Sequence, residues 1–416
     1  MESVMKKRND LLCRRLGVVL VCLLVAGDVT GCKKAKTQET AGANEEQEQQ
    51  VQQETEKESL AEVKNEEPDT IELVMVGDML MHMTVVEKGQ LADGSYDFRY
   101  LFDHVRTQIK EADLAIVNQE TILGGEELGI KGYPCFNSPY ELGDAEADTG
   151  FDVILHATNH ALDAGKAGLL NCMNFWEENY PDIAYLGIHK SKEAKDNNIF
   201  YYEQNGITIA ILNYTYGTNG ISTPADMPYA VDYLEQDKVT SDLKKADGNA
   251  DFVVVCPHWG TEYSLEVSSE QEYWTNLFLE NGVDLVIGTH PHVIEPIEWV
   301  TDDDGDQMLV YYSLGNYVNS TSGTEPGTSN RMVGGMADVT IGRNDDGEVV
   351  IEDYGVIPLV CHWGEDEVTT YYLEDYTQEL AAQNHILKQD GAFSLEYCEN
   401  LTRQIWEDDQ ILSPRK

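Results

Sequence analysis

Residues 71–78 read Ile-Glu-Leu-Val-Met-Val-Gly-Asp, a nearly unbroken apolar run that stops at glycine and then presents a carboxylate. The same grammar recurs along the chain. The run 114–117 leads into Asn118-Gln119-Glu120, 151–155 into His156-Ala157-Thr158-Asn159-His160, and 207–212 into Asn213. Further on, 252–255 leads into Cys256-Pro257-His258-Trp259-Gly260, 283–287 into Gly288-Thr289-His290-Pro291-His292, and 309–312 into Ser313-Leu314-Gly315-Asn316. Short apolar runs without polar alternation predict strands buried on both faces. Helical stretches fill the intervals near 98–112, 161–179, 231–246 and 270–281. Strands alternating with helices predict an α/β fold whose sheets are covered by helices. Toward the end, 336–341 and 349–358 are strand-like and joined by a turn-rich segment, and 371–409 reads as helical. The globular body is therefore expected over 70–365, with a helical C-terminal extension, 366–416, packed on it.

The residues just after each run carry the chemistry. Ligands of open α/β sheets gather at the carboxyl ends of strands, so Asp78, Glu120, Asn159, His160, His258, His290 and His292 are expected to converge. A mixture of carboxylate, amide and imidazole suits Mn, Fe or Zn better than Ca or Mg. Two such ions, about 3.5–4 Å apart, share a carboxylate and clamp a phosphoryl oxygen. Taken singly, each residue has a plainer role: Asp78 or Asn159 as a helix cap, Glu120 facing solvent, His258 packed on Trp259. His290-Pro291-His292 is harder to explain that way, because the proline fixes a turn between two imidazoles. Asn213 and Arg331 are candidates to contact substrate. A second Cys-His-Trp-Gly, at 361–364, lacks the Thr-Glu-Tyr that follows the first and is read as coincidence.

Composition bounds the remaining classes. The 416 residues carry a formal charge of −47, with 42% hydrophobic and 25% charged residues. A sizeable core is expected, and collagen-like or wholly disordered classes are excluded. A broad basic surface for nucleic acid is excluded too. An acidic surface repels anions at long range, so an anionic ligand needs a locally cationic site, most economically a metal ion. Five basic residues (Lys6, Lys7, Arg8, Arg14, Arg15), an apolar run over 16–26 and Val29-Thr30-Gly31-Cys32 describe an export signal ending in a bacterial lipobox. Residues 1–32 are therefore expected to be a lipoprotein signal with Cys32 lipidated, the other reading being an uncleaved anchor. Either places the protein at the extracytoplasmic face of a membrane. Residues 33–69, rich in Glu and Gln and poor in large apolar side chains, are expected to form a disordered acidic tether. The five cysteines of the body (Cys135, Cys172, Cys256, Cys361, Cys398) are odd in number and unpaired in spacing, which argues against a disulfide framework.

GDMLMH (77–82), NQE (118–120), TNHALDAG (158–165), HWGTEY (258–263), GTHPHVIEP (288–296) and SLGNY (313–317) stand in one order. Together they resemble the CapA-type family of capsule (poly-gamma-glutamate) biosynthesis proteins, a branch of the calcineurin-like metallophosphoesterases. The resemblance spans most of the globular body. It implies a four-layer αββα sandwich with two mixed sheets, a dinuclear site at its rim, and membrane-associated synthesis or export of a polyglutamate capsule. Carried over by motif, Asp78 and His292 hold one metal, Glu120 bridges, and Asn159, His258 and His290 hold the second. His160 then stands beside the substrate as an acid or electrostatic stabiliser. Two departures are visible. Related phosphoesterases have Asp-x-His at the first motif, whereas Leu80 stands here, with His82 the nearest substitute; and the bridge is Glu rather than Asp.

Two functions are expected from this reading. One is metal-dependent hydrolysis or transfer at a phosphate ester or polymer amide. The other is a non-catalytic component that binds polyglutamate, another anionic capsule polymer or membrane synthesis proteins.

Overall fold

The computed structural model describes residues 70–415. The expected signal (1–32, with Cys32) and tether (33–69) lie outside the described residues. The first sheet contains β1 (Ile71–Met79), β2 (Leu114–Asn118), β3 (Val153–Leu155), β4 (Ala184–Leu186), β11 (Asn316–Val318), β12 (Val333–Arg343), β13 (Val349–Trp363) and β14 (Val368–Tyr372). The second contains β5 (Phe200–Gln204), β6 (Ile207–Thr215), β7 (Phe252–His258), β8 (Leu285–Ile287), β9 (Ile297–Thr301) and β10 (Gln307–Tyr311). Their orders are β14-β13-β12-β1-β2-β3-β4, with β11 added beside β1, and β5-β6-β7-β8-β10-β9. Strands β1 to β4 run parallel, as do β6, β7, β8 and β10. Antiparallel strands complete both sheets.

The period-2 alternation of side chains sorts each apolar run between two layers. On β1, Ile71, Leu73 and Met75 face the second sheet and meet Ile207, Ile209 and Ile211 of β6 in one buried cluster. Val74 and Val76 point the other way, into a cluster with Leu169, Met173 and Trp176 of the helix Gly165–Asn179. On β6, Ala210 and Leu212 point out against the helices Gln236–Asp247 and Ser269–Glu280, through Val239, Leu243 and Phe278. The layers are therefore helix, sheet, sheet, helix, the αββα sandwich expected. The odd cysteine count agrees with the structure, in which Cys135, Cys172, Cys256, Cys361 and Cys398 are free. Among the described residues no helix is long and apolar enough to cross a membrane.

The tail differs from its helical expectation. Val368–Tyr372, part of the segment read as helix, is β14, paired antiparallel with β13. The expected boundary at 365 therefore falls in the turn of a hairpin, where Gly364 N–H donates to Glu367 O at 2.8 Å. The run Val-Thr-Thr-Tyr-Tyr is β-branched and aromatic, a composition that fits a pleated, half-buried surface. Beyond it the short helices Gln378–Gln383 and Leu395–Ile405 appear. Their Ala381, Cys398 and Leu401, with Trp406, extend the inter-sheet core. Trp406 Nε1 donates to Glu295 O at 3.1 Å and Gln410 Nε2 to Ile297 O at 3.0 Å. The tail thus braces the loop that follows β8, where two of the candidate histidines sit.

Glu295, in that same loop, is buried with no partner for Oε1 among the described residues, while Oε2 accepts from Gln271 Nε2 at 2.6 Å. Burial pushes its carboxyl up to about 8, against the opposing Gln271 bond. An unfolded Glu titrates near 4.3, so between the two values the folded chain holds a proton that the unfolded chain has lost, and stability falls as pH rises. Glu295→Gln, which keeps the neutral shape, is expected to melt above wild type at about pH 8 and level with it at about pH 4.5. A series of thermal melts across that interval reads the opening gap.

Candidate metal centre

The carboxyl ends of β1, β2 and β3 in one sheet and of β7 and β8 in the other meet at one rim. Bringing them together needs backbone approaches that side chains would block. A Cβ on Gly77 would lie 2.0 Å from Gly315 O, and Asp78 N–H donates to that carbonyl at 2.9 Å. A Cβ on Gly288 would lie 2.2 Å from Tyr312 O. The loop after β8 is strained as well: His290 (φ 101°) and His292 (φ 58°) both occupy the left-handed region on either side of Pro291. Non-glycine residues there cost of order 1–3 kcal/mol each and persist where the surroundings over-determine them.

Glu120 is the centre of the group. It is buried, and neither carboxylate oxygen has a hydrogen-bond partner among the described residues. Its Oε1 lies 3.6 Å from His292 Nε2, 3.8 Å from His160 Nε2 and 3.9 Å from His258 Nε2. Glu120, His290 and His292 offer ligand atoms within 4.8 Å of one another. Asp78 joins through His292 Nδ1, 3.0 Å from Oδ2, and Asn159 through Oδ1, 3.0 Å from His258 Nε2. His290 Nδ1, also buried, has no partner among the described residues. Burying a carboxylate without compensation is expensive, and a divalent cation is a donor-free way to compensate it. The residues present therefore fit a metal site.

Electrostatics at His258 and His290 agree with that chemistry. Burial, then the neighbouring histidines, hold His258 and His290 well below the usual imidazole range, so both are neutral, the form that ligates metal. Burial pushes Glu120 well above the usual carboxylate range, although His292 opposes it. For His292 burial pulls downward, and the Glu120 and Asp78 carboxylates overcome it, raising the ring to about 9. His82, the substitute weighed for the missing Asp-x-His, is pushed down to about 4 by burial and then by His292 and His160. Its Nε2 is buried and unpartnered, while Leu80 donates its backbone N–H to Val318 O at 3.1 Å.

Several neighbours in this arrangement escaped the sequence reading. His160 Nδ1 lies 2.6 Å from Asp163 Oδ2, which also accepts from Phe136 N–H at 2.7 Å. Asp163 therefore fixes the ring that the sequence read alone; the H-x-x-D spacing was the available signal. Asn118 Nδ2 donates to Asp78 Oδ1 at 2.8 Å. Asn316, within the SLGNY motif, contacts His292 Nδ1 through Oδ1 at 3.1 Å and donates to His292 O through Nδ2 at 3.0 Å. Tyr216 and Tyr263 pack at a tilt against His290 and His292, with ring centroids 4.6 and 6.0 Å apart.

Asn213 is a correction. Its Oδ1 accepts from Ala157 N–H at 2.7 Å and its Nδ2 donates to Cys256 O at 2.8 Å. Both ends of the buried amide tie backbone segments together, so it is a strut and not a substrate contact. Arg331 lies beside the site, its guanidinium carbon 3.4 Å from the Tyr263 ring centroid. His362, of the second Cys-His-Trp-Gly, is engaged with the Tyr376 hydroxyl at 3.0 Å.

Comparisons with known proteins bear on this geometry. Residues 72–321 match the family described as bacterial capsule synthesis protein PGA_cap. The capsule biosynthesis protein CapA of Bacillus anthracis is 30% identical over 330 residues, covering 76% of this chain and 74% of that one. The PGA biosynthesis protein CapA of Bacillus subtilis (strain 168) is 32% identical over 172 residues, 41% of this chain and 43% of that one. Among solved structures, the NAD nucleotidase NadN of Haemophilus influenzae overlaps with a TM-score of 0.46 at 12% identity, over 83% of this chain and 64% of that one. A 5'-nucleotidase precursor of Thermus thermophilus overlaps with a TM-score of 0.40 at 14% identity, over 81% of this chain and 58% of that one. The chain spans less than two thirds of the length of either solved protein, and overlaps this partial carry no argument about activity. The match over more than half of the sequence, with a relative alike over three quarters of its length, is decisive: this chain belongs to the bacterial capsule synthesis protein (PGA_cap) family.

Proposed function

We propose that this chain is a lipid-anchored, extracytoplasmic metal-dependent hydrolase or transferase acting in the assembly or export of an anionic capsule polymer, polyglutamate being the first candidate. The observation that carries the reading is the buried carboxylate of Glu120, without a hydrogen-bond partner among the described residues and surrounded by His160 from the first sheet's rim and His258 and His292 from the second's. Nothing in a packed core requires such a group. Asp78 and His292 would hold one divalent ion (Mn, Fe or Zn), Asn159, His258 and His290 a second, and Glu120 would be shared. When bound, such a pair supplies Lewis-acid polarisation of the scissile group and a nucleophile at neutral pH.

The chain's own residues supply the rest. A carboxylate only accepts, so the 2.6 Å contact with Asp163 makes Nδ1 of His160 the ring nitrogen that donates. That leaves Nε2 an acceptor facing the Glu120 side of the site, placed to take a proton from the attacking nucleophile and, once so protonated, to pass it to a departing oxygen or nitrogen. The edge of Phe136 packs on the same ring at 4.7 Å, limiting its rotation and its access to water. Asn118 and Asn316 hold Asp78 and His292 in orientation, the supporting layer that metal ligands need. The membrane anchor rests on the basic, apolar and lipobox pattern of residues 1–32. The capsule process rests on family membership and on the names of the Bacillus relatives.

Elemental analysis of the purified full-length protein is expected to find about two equivalents of Mn, Fe or Zn, lost together in a His290→Ala/His292→Ala variant. A single equivalent in wild type would reduce the site to one ion. No metal after reconstitution would sink the enzymatic reading and leave a tethered polymer-binding component. For the proton-transfer role, Asp163→Asn is expected to lower turnover of bis(p-nitrophenyl) phosphate or a γ-glutamyl anilide by roughly 10²-fold and to distort its pH profile. Its metal content is expected to stay at the wild-type level; metal loss would instead make Asp163 part of the scaffold.

A further inference from the structure

Between β11 and β12 the chain carries a feature that the metal-ligand set does not use. Arg331 is only 7% exposed, and a guanidinium cannot shed its charge on burial. Its NH1 donates to Thr321 Oγ1 at 3.1 Å, and its Nε is buried with no partner among the described residues. Arg331 helps, after two backbone hydrogen bonds, to lower the carboxyl of Glu325, an exposed and therefore screened partner. A buried cation left in that condition is costly, and the cost is relieved by an incoming anion.

The placement of this cation is built. Its guanidinium carbon rests 3.4 Å from the centroid of the Tyr263 ring, a cation–π contact that orients the planar fork. Tyr263 is itself fixed by a left-handed φ of 66° and by its N–H, which donates to Pro291 O at 2.7 Å between the two candidate ligand histidines. From the other side, Arg331 O accepts from Asn316 Nδ2 at 2.9 Å and from Asn319 Nδ2 at 3.4 Å. Asn316 is the residue that holds His292. The same backbone and side-chain contacts therefore position Arg331 and the ligand group together. Ser320 Oγ and His82 Nε2, also buried, have no partners among the described residues either.

We propose that Arg331, braced on Tyr263 and joined by Ser320 and His82, forms an oxyanion subsite beside the Glu120–His290–His292 group, taking a phosphate or carboxylate of the substrate. The guanidinium fork matches two oxygens of either anion, whereas the rest of so acidic a surface repels both. The proposal rests on the reading of the neighbouring group as the reacting centre, yet anion binding is measurable without turnover.

The test titrates the full-length chain in detergent with inorganic phosphate and, separately, with γ-linked triglutamate, by calorimetry. Metal content and melting temperature are recorded for each variant. Arg331→Ala is expected to weaken at least one probe tenfold or more, and Arg331→Lys to fall between it and wild type. Loss for phosphate alone identifies a phosphate ester, loss for triglutamate alone a polymer carboxylate; either supports the subsite. Arg331→Gln keeps a planar group over Tyr263 and a donor toward Thr321 without the charge, and is expected to melt like wild type while losing the anion. Wild-type affinity in Arg331→Gln, or no binding of either probe to wild type, overturns the proposal. Arg331-dependent binding in a chain that takes up no metal would leave the subsite standing and remove the metal reading. Full metal with Arg331-independent binding would do the reverse.

Discussion

The end of β2 delivers a carboxylate to a place that water does not reach. Both oxygens of Glu120 are buried with no hydrogen-bond partner among the described residues, and the surrounding structure is organised around that carboxyl group. Imidazoles arrive from β7 and from the loop after β8, an aspartate from β1 and an amide from the loop after β3. Because these elements belong to two different sheets, the spacing of the ligands is set by the apolar layer between the sheets. The apolar side chains of β1, β2, β6 and β7 that meet between the sheets are thus part of the site's geometry.

Close backbone approach is the second requirement. Gly77 and Gly288 give room for carbonyls that any side chain would displace, and the two left-handed histidines hold a turn that only a braced loop can keep. The bracing comes from far along the chain, through Trp406 and Gln410. This gives the C-terminal segment a reason to exist beyond covering the sheet edge. It explains why the tail is built from short, irregular pieces, which follow the contour of the loop and inter-sheet core they support.

Much of this was legible in the sequence because two-sided burial leaves a plain mark. Runs such as 71–76 and 252–255 have no polar alternation, and the residues immediately after each run face the rim. The clustering of Asp78, Glu120, His258, His290 and His292 was legible for the same reason, since each lies at the end of a strand or just after one. Partnership was not. Asp163 orients His160 across three residues, but Asn316 meets His292 across 24 and Asn118 meets Asp78 across 40, and no local pattern encodes those pairings. Asn213 misled because an amide after a strand looks the same whether it meets a ligand or two backbone groups. The strand β14 was hidden because its apolar positions also fit a helical spacing once joined to Leu373 and Leu380.

Asp78 and His292 stand 214 positions apart, and β1 takes β12 as its neighbour only after the whole second sheet has been threaded between them. The ligand group is therefore a late product of folding. No fragment ending before β8 contains it, and no partly folded chain holds it before the two sheets dock. Loop closure over such distances is slow, since the entropy of the intervening chain is lost before the contacts form. A nascent chain would pass through that interval with isolated histidines and carboxylates and no assembled group among them. Any ion that the group takes is then selected where folding ends, by the metals present there, and not where synthesis begins.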